Sequence, residues 1–177
     1  LKIISLRLIN QKGINNIEFD DQGYPIGFSK NSQEVLVPAF ISAYTGDNAN
    51  SVGLNPISDK PKINWSIQYD GLSEGLKDIF SRISLRHSYR SNFTINNFQS
   101  NLNYSENSFN SVGDYESKIF FSNINLVEQF NPLIRVDLEL KNSLRLSFDV
   151  IKDRAVSLSL ANNLITESWG DEYSIGI

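Results

Sequence analysis

From Ile134 to Leu160 the chain alternates apolar and polar residues with a two-residue period. The apolar positions are Ile134, Val136, Leu138 and Leu140, then Leu144, Leu146, Phe148 and Val150, then Val156, Leu158 and Leu160. Arg135, Asp137, Glu139, Arg145, Ser147, Asp149, Ser157 and Ser159 lie between them. A β-strand sends successive side chains to opposite faces, so each segment predicts a strand with one apolar and one wet face. With Lys141-Asn142-Ser143 as a three-residue hairpin loop, Leu140 faces Leu144, Leu138 faces Leu146, Val136 faces Phe148 and Ile134 faces Val150. The same register sets Glu139 against Arg145 and Arg135 against Asp149. A slip of one residue would set apolar against polar throughout, so this register is strongly preferred. The opposite-charge pairs add a little to it. Ile151 to Ala155 is expected to form the next turn, bringing Phe148 against Leu158, and Tyr173 to Ile177 to open a further strand after an Asn-rich loop.

Elsewhere the pattern is more broken. Ile4 to Leu8 alternates briefly and reads as the end of a strand. Asn10 to Ser32 is polar and Gly-punctuated, with no firm period. Pro38 suits a first helical position and Gly46 a C-terminal cap, so Pro38 to Thr45 predicts a two-turn helix. Asp47 to Lys62, with Pro56 and Pro61, reads as loop, and residues 33–62 together as a short helix and loop insertion. Ile63 to Tyr69 alternates as a strand, Leu72 to Ile79 suggests a short helix, and Ile83 to Arg90 a second strand continuing through Phe93 and Ile95. Asn96 to Phe109 reads as a strand leading into a loop. No βαβ spacing appears, so the fold class is all-β: an antiparallel up-and-down meander with one or two short helices.

Composition narrows the choice of environment. The 177 residues carry a net charge of −4 with both signs mixed, which gives no basic stripe for nucleic acid. There is no cysteine, which removes disulfides and thiolate chemistry. There is no methionine, and both ends lie within apolar runs, so the chain is expected to be a piece of a longer protein, with a processed N-terminus as the alternative. No apolar stretch approaches the roughly 20 residues of a membrane-spanning helix. A transmembrane barrel needs only about 9–11 alternating residues per strand, so the mean hydropathy of −0.26 does not argue against one. The 21 Asn and 24 Ser residues concentrate outside the alternating segments, as long solvated loops between barrel strands would require.

Candidate chemistry is thin. Gly71-Leu72-Ser73-Glu74-Gly75 fits the nucleophile-elbow pattern, but that motif needs a parallel α/β sheet and a later histidine. The single histidine, His87, lies on a predicted strand in its apolar phase and reads as a packed or interfacial side chain. Gly71 is expected simply to reverse the chain, with Ser73 starting the helix. His87 alone makes no zinc site. Asp137, Glu139 and Asp149 sit opposite arginines that would keep them ionised, which suits structural pairing better than acid catalysis. Neither metal, cofactor nor enzymatic activity is expected. Trp65, Tyr69, Phe130, Trp169 and Tyr173 lie at or near predicted strand ends, where a barrel carries its interfacial aromatic girdles.

Several segments in order resemble the C-terminal part of the SprA/Sov family, the giant outer-membrane translocon of the type IX secretion system in Bacteroidota. They are residues 35–46 (VLVPAFISAYTG), 65–73, 85–91 (LRHSYRS), 128–134 (EQFNPLI), 141–144, 157–163 (SLSLANN) and 171–173. The resemblance implies that residues 1–177 are the final strands of a very large single-chain barrel that conducts folded cargo proteins across the outer membrane. It implies cargo, a PorV-like shuttle, plug proteins and the lipid bilayer as partners, and in some members export of gliding-motility adhesins. It carries no catalytic residues. In such a barrel Arg86, Arg90, Arg135, Asp137, Glu139, Arg145 and Asp149 would face the lumen. Val136, Leu138, Leu146, Phe148 and Leu158 would face lipid, and Trp65, Tyr69, Trp169 and Tyr173 the interfaces. The same alternation would also suit a β-sandwich binding module, or a porin or uptake receptor.

Overall fold

The computed structural model describes residues 1–55 and 63–177, and its contacts divide the chain into two compact units. The loop expected from Asp47 to Lys62 is observed as far as Asn55; its Pro56 and Pro61 lie outside the described residues.

The first unit comprises residues 1–61, 95–124 and 158–164. It opens with helix α1 (Lys2–Gln11), where the short alternation predicts a strand. The apolar residues at 1, 3, 4, 6, 8 and 9 fit both periods, and burial decides between them. Ile4, Leu8 and Ile9 are buried at helical spacing, while Leu6, which a strand would group with Ile4 and Leu8, stays exposed. Helix α2 (Gln33–Thr45) begins more than a turn before Pro38, so the proline is interior and not at the first position. Its missing N–H leaves the carbonyl of Glu34 without the usual helical donor. The C-terminal end falls where expected: Gly46 closes the helix in the left-handed conformation, φ 78°.

α2 packs into the core of this unit. Its Val35 joins Ile4, Leu8 and Ile9 of α1, with Phe28 and Val52, in one apolar core, against which Ala39, Ile41 and Tyr115 pack. A two-stranded ribbon of β3 (Gln99–Ser100) and β4 (Ile119–Phe120) pairs Gln99 with Phe120 and Ser100 with Ile119. The Gln33 amide bonds the backbone of the next residues like a further strand. Its Nε2 donates to Ile119 O at 2.7 Å, and its Oε1 accepts from Phe121 N at 2.9 Å. Most of the strand expected over Asn96 to Phe109 is loop, shaped by local side-chain bonds. Asn101 Oδ1 accepts from Asn103 N, and Asn110 Oδ1 from the amides of Val112 and Asp114. Asp114 is buried, and both its oxygens are satisfied by Ser29, from N–H at 2.6 Å and Oγ at 2.7 Å. Gly27, at φ 93°, lies so close under the Tyr115 ring that a Cβ there would collide with it.

The second unit comprises residues 62–94, 125–157 and 165–177. It is built on a single five-stranded sheet of β1 (Trp65–Tyr69), β2 (Phe80–Asn96), β5 (Asn123–Leu140), β6 (Arg145–Ser159) and β7 (Leu164–Gly176), in that spatial order. Strand order follows chain order, with residues 97–122 leaving between β2 and β5. β1 and β2 are antiparallel, with Trp65 opposite Tyr89, Ile67 opposite His87 and Tyr69 opposite Leu85. Helix α3 between them is short, Leu72–Gly75; Gly71 occupies its N-cap, and Ser73 lies inside it. The β5–β6 hairpin has the predicted register, closed by Leu140 N donating to Leu144 O at 2.9 Å.

The expected turn at 151–155 does not exist. β6 runs unbroken to Ser159, so Phe148 and Leu158 lie on one strand and do not face each other. β7 correspondingly starts at Leu164, nine residues before the Tyr173 expected to open it. Lys152 and Arg154 fall in the apolar phase of β6, and those charges made a continuous strand read as a break.

Phe28→Ala, which empties the centre of the first unit's core, should lower its stability by about 3–5 kcal/mol. A shift of the denaturant midpoint smaller than that of an exposed control such as Leu102→Ala would contradict this packing.

Candidate functional site

Alternation on long strands gives the five-stranded sheet two chemically distinct faces. On one, Trp65, Ile67 and Tyr69 of β1 stand opposite Tyr89, His87 and Leu85 of β2. The rings continue onto β5: Phe130 lies 4.9 Å from Tyr89 and 5.9 Å from His87. Val136, Leu138, Leu146 and Phe148 follow on this face by the β5–β6 register. On β7 the phase puts Glu167, Trp169, Asp171, Tyr173 and Ile175 there, because Arg154 stacks on Trp169 at 4.8 Å and Lys152 pairs with Asp171 at 3.4 Å. Much of the apolar surface is open: Phe148 is 41% exposed, Tyr173 64%, Trp169 71% and Ile175 78%. Leu158 departs from its expected lipid-facing place. It is buried (1% exposed), as is Val156, because unbroken β6 carries both beyond Arg154.

The opposite face is polar. Arg135 binds Asp137 on its own strand at 3.0 Å and Asp149 across the hairpin at 3.5 Å, and Arg145 reaches Glu139 at 3.4 Å. Both cross-strand pairs were legible from the register; the tighter Arg135–Asp137 contact was not. A groove of about 610 Å³ gathers Arg82, Arg86, Arg135, Asp137, Glu139 and Arg145. Arg86 donates to Gln68 Oε1 at 3.4 Å. Arg90 lies apart, in a second groove of about 500 Å³ with Asn64, Ser66, Ser88, Gln129 and Asn131. Asp149 lines neither groove. Arg82 lies just outside the alternation that begins at Ile83, although 82, 84 and 86 share one phase.

The most enclosed ion pairs among the described residues centre on Arg154, which the sequence pattern does not predict. Arg154 bonds Glu167 at 2.7 Å and Glu128 at 3.5 Å, and Glu128 accepts from the Tyr89 hydroxyl at 2.8 Å. All three charged partners are less than a third exposed. Their signal in the sequence was the pair of cations standing in an otherwise apolar phase.

Ser73 and His87 form no nucleophile–base pair. Ser73 Oγ donates to Asp70 O at 2.9 Å in the turn, and His87 Nδ1 lies 2.6 Å from Leu133 O, on an antiparallel sheet. Among the described residues no group of three His, Asp or Glu side chains is placed to hold a metal ion. Among the described residues no helix is long and apolar enough to cross a membrane, which says nothing of β-barrels.

The first unit holds a cavity of about 630 Å³, with an apolar floor including Leu8, Phe28 and Val37 and a rim including Lys12, Glu34 and Lys118. Burial raises the pKa of Glu34, opposed by the nearby Lys12 charge and a Ser117 hydrogen bond. Lys12 is held in place, with its Nζ 2.5 Å from Glu106 O and 3.9 Å from the Tyr115 ring centre.

Set against known proteins, the chain matches no family model and no curated protein.

Two measurements test this geometry. Arg154→Ala strands Glu128 and Glu167 as unneutralised, partly buried carboxylates and should cost about 1–3 kcal/mol, between the values for exposed and buried pairs. A double-mutant cycle with Glu167→Gln should recover part of that loss; strict additivity would refute the coupling. Glu34 behaves oppositely in pH. Its raised folded pKa favours the folded state below the unfolded value, and that advantage is lost as pH rises through the folded pKa. Glu34→Gln should therefore stabilise the protein at pH 7 and lose its effect near pH 4. Equal effects of Glu34→Gln on the unfolding midpoint at both pH values would contradict it.

Proposed function

We propose that this chain is part of a transmembrane β-barrel of the outer membrane, within the protein-conducting channel of a type IX secretion system. The observation that carries the barrel reading is the single-layer antiparallel sheet with one open apolar, aromatic-rich face and one ion-paired face. A membrane barrel needs this division: hydrocarbon covers the apolar band, and water wets the polar wall. A β-sandwich would instead cover the apolar face with a second sheet. The second unit contains no such layer among its described residues.

The polar face supports the conducting role. Its charges are mixed and locally paired, so the wall stays wet without presenting one sign of charge to cargo in transit. The narrower assignment to type IX secretion rests on the ordered segments from 35–46 to 171–173. Under it the exported partners are folded proteins, including gliding-motility adhesins, assisted by PorV-like shuttle and plug proteins.

Leu146→Arg and Ser147→Arg are neighbours on opposite faces and separate the readings. On the lipid face an arginine costs about 2–4 kcal/mol near mid-membrane. Leu146→Arg should deplete the full-length protein from the outer-membrane fraction and leave cargo in the periplasm, while Ser147→Arg should assemble and export normally. Equal tolerance at both positions, or a full-length protein soluble without detergent, would refute the proposal.

A further inference from the structure

The cavity of the first unit has two helical walls. Leu8, Gln11 and Lys12 line it from α1, and Glu34, Val37 and Pro38 from α2, each set about one turn apart on its helix. Residues between 104 and 121 complete the lining. Its volume of about 630 Å³ falls in the range of small-molecule sites. The floor is closed and apolar: Leu8, Phe28, Val37 and Phe121 are all buried.

Glu34 is the residue that such a floor does not explain. The Ser117 side chain, itself buried, bonds its carboxyl group. Lys12 and Lys118 act on it only through space, and Asp114 opposes them. Among the described residues no cation lies within ion-pair distance of Glu34. Both lysines are engaged elsewhere. Lys12 Nζ donates to Glu106 O at 2.5 Å, and Lys118 lies over the Tyr104 ring at 5.4 Å. Pro38 adds a second acceptor on the same wall, because it gives the Glu34 carbonyl no helical donor. One residue thus brings a carboxylate and an under-used carbonyl to an apolar cavity. A carboxylate enclosed without a counter-ion works against folding. In a cleft, that is the arrangement expected where a ligand supplies the missing partner. An ammonium meets the need. It carries three N–H donors for the two acceptors of Glu34. Its charge also suits a lining in which Glu34, Glu106 and Glu116 outnumber Lys12 and Lys118.

We propose that this cavity binds a small primary amine with an apolar body, its ammonium held by Glu34 and its body resting on Leu8, Phe28 and Val37. The site lies within the first unit alone and is independent of the membrane reading.

Phenethylamine, its neutral analogue 2-phenylethanol and the anion 3-phenylpropanoate test this by calorimetric titration into the full-length protein in mild detergent. Phenethylamine should bind saturably with a Kd of about 1 mM or below, as a ligand of this size can. The alcohol and the acid should bind at least ~10-fold more weakly, through loss of a charge-assisted hydrogen bond. Glu34→Gln should weaken phenethylamine by about the same factor while keeping the fold, which it is expected to stabilise at neutral pH. Glu18→Gln, an exposed change outside the cavity, should leave the affinity unchanged. From about pH 7 to about pH 4 the affinity should fall as Glu34 takes up a proton. It should fall less in Glu34→Gln, where Asp114, Glu106 and Glu116 are the carboxylates left nearby to titrate. Four results would each overturn the site: no saturable phenethylamine binding at ~10 mM, equal affinity for the alcohol, tighter binding of the acid, or unchanged affinity in Glu34→Gln.

Discussion

A single-layer β-sheet cannot cover its own apolar face, and that constraint governs the second unit of this protein. Five strands in one layer satisfy their neighbours' backbone groups but leave every side chain pointing to one side or the other. In a sandwich the second sheet completes the burial. Here the residues that would fill such a core, Phe148, Tyr173 and Ile175 among them, are open. The two outer strands likewise carry unpaired backbone edges, a state that only closure removes in a membrane. On the reading proposed above, both deficits, an uncovered face and open edges, are met by a closed barrel within lipid.

The polar face shows how the same strands remain compatible with water. Arg135 holds two aspartates, and Arg145 answers Glu139 across the hairpin. Exposed pairs of this kind contribute little stability each, and their main effect is on register and on local charge balance. The ionic cluster around Arg154 is different in kind. It lies on the apolar side, is more enclosed, and couples three strands through one guanidinium and two carboxylates. Its aromatic neighbours Tyr89 and Trp169 tie the charges to the ring system of the edge strands.

The first unit follows ordinary globular rules. Two helices and a loop-rich segment close over Phe28, and buried polar groups such as Asp114 are fully bonded. Its ordered loops owe their shape to asparagines bonding nearby amides, which is why an Asn-rich sequence without periodicity still takes a defined path. The half-buried Glu34 at the cavity rim is the exception: burial works against its charge, and Lys12 only partly offsets this.

The sequence by itself determined the β5–β6 hairpin, its register and both of its cross-strand ion pairs, because a one-residue slip would set apolar against polar throughout and the short 141–143 loop with its opposite-charge pairs selects among the rest. It also determined the strands around Ile67 and His87 and the glycine that ends α2. Other features were decided only by tertiary structure. Ile4, Leu6 and Leu8 alternate, yet burial of Ile9 beside Ile4 and Leu8 against Phe28 and Val35 selects a helix. Lys152 and Arg154 read locally as a turn, because charges in an apolar phase normally end a strand. Partners from β5 and β7, far away in sequence, neutralise them and let β6 continue. Local pattern fixes what a segment does with its neighbours along the chain; whether a charge can sit on an apolar face depends on what the fold brings opposite it.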